Sequence, residues 1–403
     1  MRMAVGKNFF STYKKYQAEP YTLNGTTYPR FVTEFWTSRQ RQASSLHEIA
    51  YRACFKAQLP RFFIELFTAP GDTVYDPFSG RGTTVIEAGL LARNIISNDV
   101  NPLNKILSLP RFFIPDLEEL EQRLSHILFK KEEHADIDLS MFYHPETESG
   151  IISLKKYLKI RKRSGSEDLI DLWIRMIATN RLTGHSPGFF SVYTFPPNQA
   201  VSAERQKLIN KKRKQKPEYR DIKKIILRKS KQLLKDVTKK ETETLRCIGE
   251  HALFLKSDAR FTKDIPSGRV QLTVTSPPFL NVVQYADDNW LRFWFNDIDE
   301  EAVAKKITMS KTVEEWTAVM KDVFEELYRV TRKGGWVAFE VGEVRNGKIK
   351  LEEHVVPLGI QAGFECKGIV INQQRFTKTS NIWGVKNNSK GTNSNRIVLF
   401  HKG

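Results

Sequence analysis

The chain is poor in cysteine, and the three it has form no useful pattern. Cys54, Cys247 and Cys366 are far apart and have no CxxC or His-spaced partner, which argues against a disulfide framework and a local zinc site. They are expected to be reduced and mostly packed as small apolar residues. Long apolar runs are also missing, for none approaches the roughly 18–20 residues that a membrane-spanning helix needs. The opening MRMAVGKNFFSTYKKY lacks the apolar centre of a secretory signal. The expectation is a soluble cytoplasmic protein without a membrane partner. Acidic residues are in deficit: 46 Asp and Glu stand against 64 Lys and Arg, a net charge of +18 with a pI near 9.6. Charge of that sign draws polyanions such as nucleic acid.

The excess charge is concentrated. Between Arg205 and Lys240, 16 Lys and Arg face only Glu218, Asp221 and Asp236. On either side of this segment the pattern is that of an α/β protein. PGDTVYDPF is a turn and a short strand, TTVIEAGLLAR a helix, and NIISNDVNP a second strand ending at Asn98 and Asp99. Strand, Gly-rich turn, helix and strand in so short a span imply a βαβ unit and a parallel sheet. Before it, residues 44–69 read as one or two amphipathic helices interrupted near Pro60. Strand-like runs return at 251–258 and 270–279, followed by a helix, the turn at Lys333, Gly334 and Gly335, another strand, and a helix around 352–362. IVINQQRF and NRIVLFHK read as a closing antiparallel pair. The fold class is α/β, a Rossmann-like sheet with helices on both faces and an inserted, mostly helical region. The expected division is 1–135 and 246–403 for the two parts of the catalytic domain, with 136–245 as the basic insertion.

Four stretches carry candidate chemistry. In YDPFSGRGTT, Gly80 and Gly82 remove side chains from a strand-to-helix turn, so that backbone N–H groups approach a ligand at the helix N-terminus. Asp76 before the turn suits an ammonium-bearing ligand better than a pyrophosphate, and a generic turn is the bland alternative. Asp99, 17 residues after Gly82, is placed to accept hydrogen bonds from ribose hydroxyls, or simply to cap the helix that follows. Asp258, within Ser257-Asp258-Ala259, is a candidate acceptor for an adenine amino group, or else a surface carboxylate. TVTSPPF breaks a strand with paired prolines at the edge where open α/β sheets bind ligands. There Ser276 and the Pro277 carbonyl are acceptors for a substrate amino group, Pro278 stiffens the turn, and Phe279 is a stacking surface.

DPFSGRGTT, an acidic strand end and then TSPPF together resemble the S-adenosylmethionine-dependent DNA amino-methyltransferases, which methylate exocyclic nitrogens of bases. The resemblance implies that Asp76, Pro77, Phe78, Gly80, Gly82, Thr83, Asp99, Asp258 and Ala259 hold S-adenosylmethionine. It implies further that Ser276, Pro277, Pro278 and Phe279 hold the target amino group. Serine in first place resembles the N4-cytosine members, whereas N6-adenine members usually carry Asp or Asn. CFKAQLPRFFIELF is similar to the family's cofactor-side helix and brings in Lys56, although Ala57 stands where proline is usual. The motif order, with the basic region between the glycine turn and SPPF, resembles the α arrangement. The implied reaction is base flipping and transfer of a methyl group to cytosine N4 in double-stranded DNA, with no metal. A cognate restriction endonuclease is a further partner the resemblance allows. The alternatives are N6-adenine methylation, methylation of an RNA amino group, and an inactive DNA-binding protein. Cytosine C5 chemistry is excluded, since that family needs a proline before its cysteine nucleophile and Ala53, Arg246 and Glu365 precede the cysteines here.

For DNA contact the candidates are Lys211, Lys212, Arg213, Lys214, Lys216, Arg220, Lys223 and Lys224, which would neutralise phosphates. A solvated helix face is the alternative. In NRLTGHSPGFFSVYTFPPNQA, Arg181 suits guanine, and Asn198 and Gln199 suit adenine. The polar stretch 372–396 around Trp383 is expected to line the DNA cleft or to form a long hairpin loop.

Overall fold

The computed structural model describes residues 18–36, 43–52, 54–195, 199–278, 287–307, 310–344, 349–373 and 394–403. Phe279, Asn198, Trp383 and most of the polar stretch around it lie outside these residues. A nine-stranded sheet organises the chain. Its strands are β1 (Glu19–Leu23), β2 (Thr26–Thr33), β3 (Thr73–Asp76), β4 (Asn94–Asn98), β5 (Leu253–Leu255), β6 (Val270–Thr275), β7 (Thr331–Val341), β10 (Glu365–Gln373) and β11 (Ser394–His401). A separate two-stranded ribbon, β8 (Glu343–Val344) with β9 (Ile349–Lys350), lies between β7 and β10 in the chain.

The order across the sheet is β1-β2-β10-β11-β7-β6-β3-β4-β5. The pairs β7-β6, β6-β3, β3-β4 and β4-β5 are parallel, and β11 enters antiparallel between β7 and β10. β3 and β6 are buried at every residue, as parallel strands covered on both faces must be. Strand order reverses between β3 and β6, so the carboxyl ends of these two strands flank the crevice in which such sheets bind ligands.

The helices are α1 (Gln58–Phe67), α2 (Thr83–Leu90), α3 (Leu103–Ser108), α4 (Leu117–His126), α5 (Pro145–Arg163), α6 (Leu169–Arg181), α7 (Ala203–Arg213), α8 (Ile222–Leu233), α9 (Lys239–Glu250), α10 (Trp290–Asn296), α11 (Glu300–Lys306), α12 (Val313–Val330) and α13 (Leu351–Gln361). Pro60 does not interrupt a helix, because it falls in the first turn of α1, where its missing N–H costs nothing. The expected closing pair is present as β10 and β11. An N-terminal hairpin was not anticipated, although Asn24 and Gly25, at φ 48° and 78°, form the Asn-Gly turn that favours one.

The basic region packs directly on the sheet's helix layer. A continuous core joins Val74 and Ile95 of the sheet to Trp173 and Ile177 of α6 and to Ile226 and Leu233 of α8. α9 lies against α2, where Leu245 approaches so closely that a Cβ on Gly89 would meet it at 2.9 Å. Asp171, fully buried, ties the region together by accepting from Arg123 at 2.8 Å, Arg161 at 2.7 Å and the Tyr157 hydroxyl at 2.9 Å.

Candidate active site

The carboxyl ends of β3, β4 and β6 open onto one cavity. Asp76, Phe78, Gly80, Asp99, Asp258 and Ser276 all line it, from four separate stretches of sequence. Pro77, Thr83, Ala259 and Pro278 are also on its wall. The loops are held in register by Asn98, whose amide donates to the Pro77 and Ser257 carbonyls at 3.2 and 2.9 Å while its Oδ1 accepts from Ser257 N at 2.9 Å.

Asp76 is 2% exposed and ends β3. Its Oδ1 accepts from Thr275 Oγ1 at 2.6 Å and from Phe78 N at 3.2 Å. Burial pushes its carboxyl up to about 7, against these hydrogen bonds. Asp99 is pushed up to about 6, again by burial, while accepting Gly80 N and Asn101 N, each at 2.9 Å. Asp99 therefore serves as the cap of its own loop and still presents its carboxylate at the cavity. Neither acid has an ion-pair partner among the described residues. Two desolvated carboxylates on one cavity wall fit a ligand that carries a cationic amine and several hydroxyl donors.

Asp258 is engaged differently from the expectation. Arg260 donates to it from the backbone N at 2.9 Å, Nε at 3.0 Å and Nη2 at 2.6 Å, and holds its carboxyl below the usual range. An adenine amino group would have to share this acceptor with Arg260. The two glycines also divide their labour. Gly80, at φ +51°, is on the cavity wall, whereas a Cβ on Gly82, at φ +82°, would sit 2.6 Å from Ser108 Cβ. Gly82 is thus required by helix packing and does not line the cavity. Lys56 is also displaced from its expected place: it lines an adjoining cleft.

Ser276 follows β6 and hydrogen-bonds the buried carboxylate of Glu340 on β7, which Asn395 Nδ2 also meets at 3.0 Å. Burial raises the Glu340 carboxyl, and these two donors oppose the rise. With its proton committed to Glu340, Ser276 Oγ offers lone pairs to another donor. Pro277 is buried, and the Pro278 carbonyl accepts from Trp316 Nε1 at 2.9 Å, which fixes the paired-proline turn on α12.

Sequence reasoning missed Arg81, Arg111 and Glu340. Fully buried Arg111 donates to the Leu46 and Leu107 carbonyls, each at 3.0 Å, and to the Arg81 carbonyl. Arg81 in turn donates to the His47 and Ile49 carbonyls at 3.1 and 2.6 Å. Together they pin residues 46–49 over the glycine turn. Arg81 inside the glycine motif was the one local signal for this.

Of the residues expected to meet DNA, Lys211, Lys212, Arg213, Lys214 and Lys216 are exposed on or just beyond α7. Lys223 lies 4.9 Å over the Phe129 ring, Arg220 pairs with Glu218 at 3.3 Å and Lys224 with Asp221 at 3.3 Å. Arg181 is 7% exposed and stacked 3.9 Å over Phe189, a placement that does not suit direct reading of a guanine edge. Gln199 lines a further shallow hollow beside Trp290. No group of His, Cys, Asp and Glu capable of holding a metal occurs among the described residues, and none of their helices is long and apolar enough to cross a membrane.

Comparison with known proteins finds the following similarities. The model of the N6 and N4 family described as "DNA methylase" matches residues 6–105. Type II methyltransferase M.BsoBI of Geobacillus stearothermophilus is 25% identical over 309 residues, 72% of this chain and 60% of the relative. Type II methyltransferase M.MjaI of Methanocaldococcus jannaschii is 47% identical over 49 residues, 12% of this chain and 16% of that one. The chain thus spans 60% or less of the length of these curated relatives. Among solved structures, a DNA modification methylase of Thermus thermophilus complexed with S-adenosyl-L-methionine aligns with a TM-score of 0.21 and 18% identity, over 36% of this chain and 50% of that one. The family match falls on the stretch that builds β3, the glycine turn and the acidic end of β4, and there the chain is similar to the DNA amino-methyltransferases.

Proposed function

We propose that the protein methylates the N4 amino group of cytosine in duplex DNA, with S-adenosylmethionine as methyl donor. The observation that carries this reading is the pairing of Ser276 with Glu340 on the wall of the cavity that Asp76 and Asp99 share. Asp76 would hold the ammonium group of the cofactor and Asp99 its ribose hydroxyls, with Phe78 as an apolar wall. When bound, the cofactor supplies a methyl group on a sulfonium, and its carbon–sulfur bond breaks as the nitrogen–carbon bond forms.

The protein's own part is to orient and deprotonate. A flipped cytosine presents N4–H to Ser276 Oγ, which accepts because its own proton is given to Glu340. That bond turns the nitrogen lone pair toward the incoming methyl group. The extra proton on N4 then leaves through Ser276 to Glu340, whose raised proton affinity suits it to receive one. Phe279 is assigned the stacking role by its place in SPPF.

The test follows the methyl group from labelled S-adenosylmethionine into unmethylated genomic DNA. Ser276→Ala is expected to lose about 10²–10³-fold in turnover while cofactor affinity stays unchanged. A variant that methylates at the parent rate would remove Ser276 from the reaction.

A further inference from the structure

Beside the cavity lies a larger cleft of about 1050 Å³. Tyr51, Cys54 and Arg81 line both, so the two share a wall. Seven Lys and Arg face this cleft against two carboxylates, Glu48 and Asp236. Asp236 is already engaged by Ser45 N at 2.9 Å and by the Ser45 hydroxyl. α8 contributes Ile225, Arg228, Lys229 and Gln232, spaced three and four residues apart as one helical stripe, and Lys235 follows one turn later.

Two of the cations are buried. Lys229 is 5% exposed and shares Glu48 with Lys235, at 3.7 and 3.0 Å. Arg181, at the end of α6, is 7% exposed and donates only to the Asn180 carbonyl at 3.1 Å and Asn180 Oδ1 at 2.6 Å. It has no carboxylate partner among the described residues. A guanidinium taken out of water is costly, and its neighbours Arg292 and Arg228 add repulsion that nearby Glu48 offsets only in part. Burial and that repulsion lower Arg181 to about 9, and burial beside Arg181 lowers Lys229 to about 8. Glu48 is shared among Lys229, Lys235 and the nearby Arg181, so the cleft keeps an excess of positive charge that suits an anionic ligand.

We infer that this cleft is the phosphate track for a DNA strand, with Arg181 and Lys229 as buried anchors and Arg228 and Lys235 on its rim. The track rests on the proposed function and deepens it. A strand lying there passes the wall made by Tyr51 and Arg81, over which a nucleotide can be delivered into the cavity. The exposed run Lys211 to Lys214 on α7 is then a solvated face that adds general attraction, and the cleft makes the fixed contacts.

The experiment is a salt series of binding to a fluorescent mixed-sequence DNA duplex, read by anisotropy, with cofactor binding measured in parallel. Each lost phosphate contact lowers the slope of log affinity against log salt by about 0.9. Arg228→Gln with Lys235→Gln, both exposed positions, is expected to lower it by nearly twice that and leave cofactor binding unchanged. Arg181→Gln is expected to lose affinity by at least tenfold at fixed salt. Unchanged slope and affinity in the rim pair, or a slope that moves only when Lys211 to Lys214 are neutralised, would overturn the track. A parent protein that binds the duplex with the expected slope, and whose rim pair loses it, but methylates no base would leave the track standing and sink the functional reading instead.

Discussion

At the scale of single residues, the proposed function makes the charge of Asp76 the control on cofactor binding. Its ordinary value of 3.8 is raised to about 7 by burial, so the free protein holds it largely protonated at mildly acid pH. The sign follows from linkage. A carboxyl with a raised folded value favours the folded state fully below its unfolded value, and that contribution is lost as pH rises through 7. A ligand ammonium group reverses the preference, because it pairs with the ionised form. Cofactor affinity is therefore expected to climb as pH rises toward about 7 and to level off above it, while the free protein loses the Asp76 contribution to stability between its ordinary value of 3.8 and about 7. Asp76→Asn should bind more weakly and lose most of that climb, with the shallower titration of Asp99, at about 6, left behind. Calorimetric titration across pH checks both. An Asn variant with the parent's affinity and profile would show that Asp76 does not face the cofactor's charge.

At the scale of elements, the glycine turn shows what sequence can and cannot convey. That a strand, a turn and a helix follow one another from Thr73 to Leu90 was legible, because each is a local preference. The distinct duties of the two glycines were not, since Gly82 is constrained by Ser108 of α3, which lies well along the chain. Gly82→Ala combines a left-handed backbone with that clash and is expected to cost about 2–4 kcal/mol of stability. Gly80→Ala, whose new Cβ would find nothing nearer than Tyr51 at 3.6 Å, should cost about 1 kcal/mol. Denaturant midpoints separate the two, and equal losses would contradict the packing account. The same limit explains the other departures. Lys56 and Arg181 were read from motif and side-chain type, but which cavity each faces depends on how α1, α6 and α8 pack. The Asn24-Gly25 hairpin was written locally and passed over, while the parallel pairing of β2 with β10 has no local signal at all.

At the scale of the molecule, the net charge of +18 has a direction that composition alone could not supply. The sequence places its excess in residues 205–240, and the fold turns one stripe of that segment, on α8, toward the cleft beside the cavity at the strand ends. The run Lys211 to Lys214, at the end of α7, faces solvent. Site and cleft are consequently adjacent although their residues come from both ends and the middle of the chain. Asp76, Asp99, Asp258 and Ser276 could each be singled out in the sequence as candidates because strand ends before turns mark the ligand-binding edge of such a sheet, and all four line the one cavity. Glu340 was not, since a carboxylate within a buried strand gives no sign of its partner until β7 is set beside β6.

The identity of the methylated base tests this account most directly. Unmethylated genomic DNA is incubated with the purified protein and S-adenosylmethionine, digested to nucleosides and analysed by mass spectrometry. The pairing of Ser276 with Glu340 predicts N4-methylcytosine as the product. N6-methyladenine, or a methylated nucleoside found only when RNA is supplied, would contradict it.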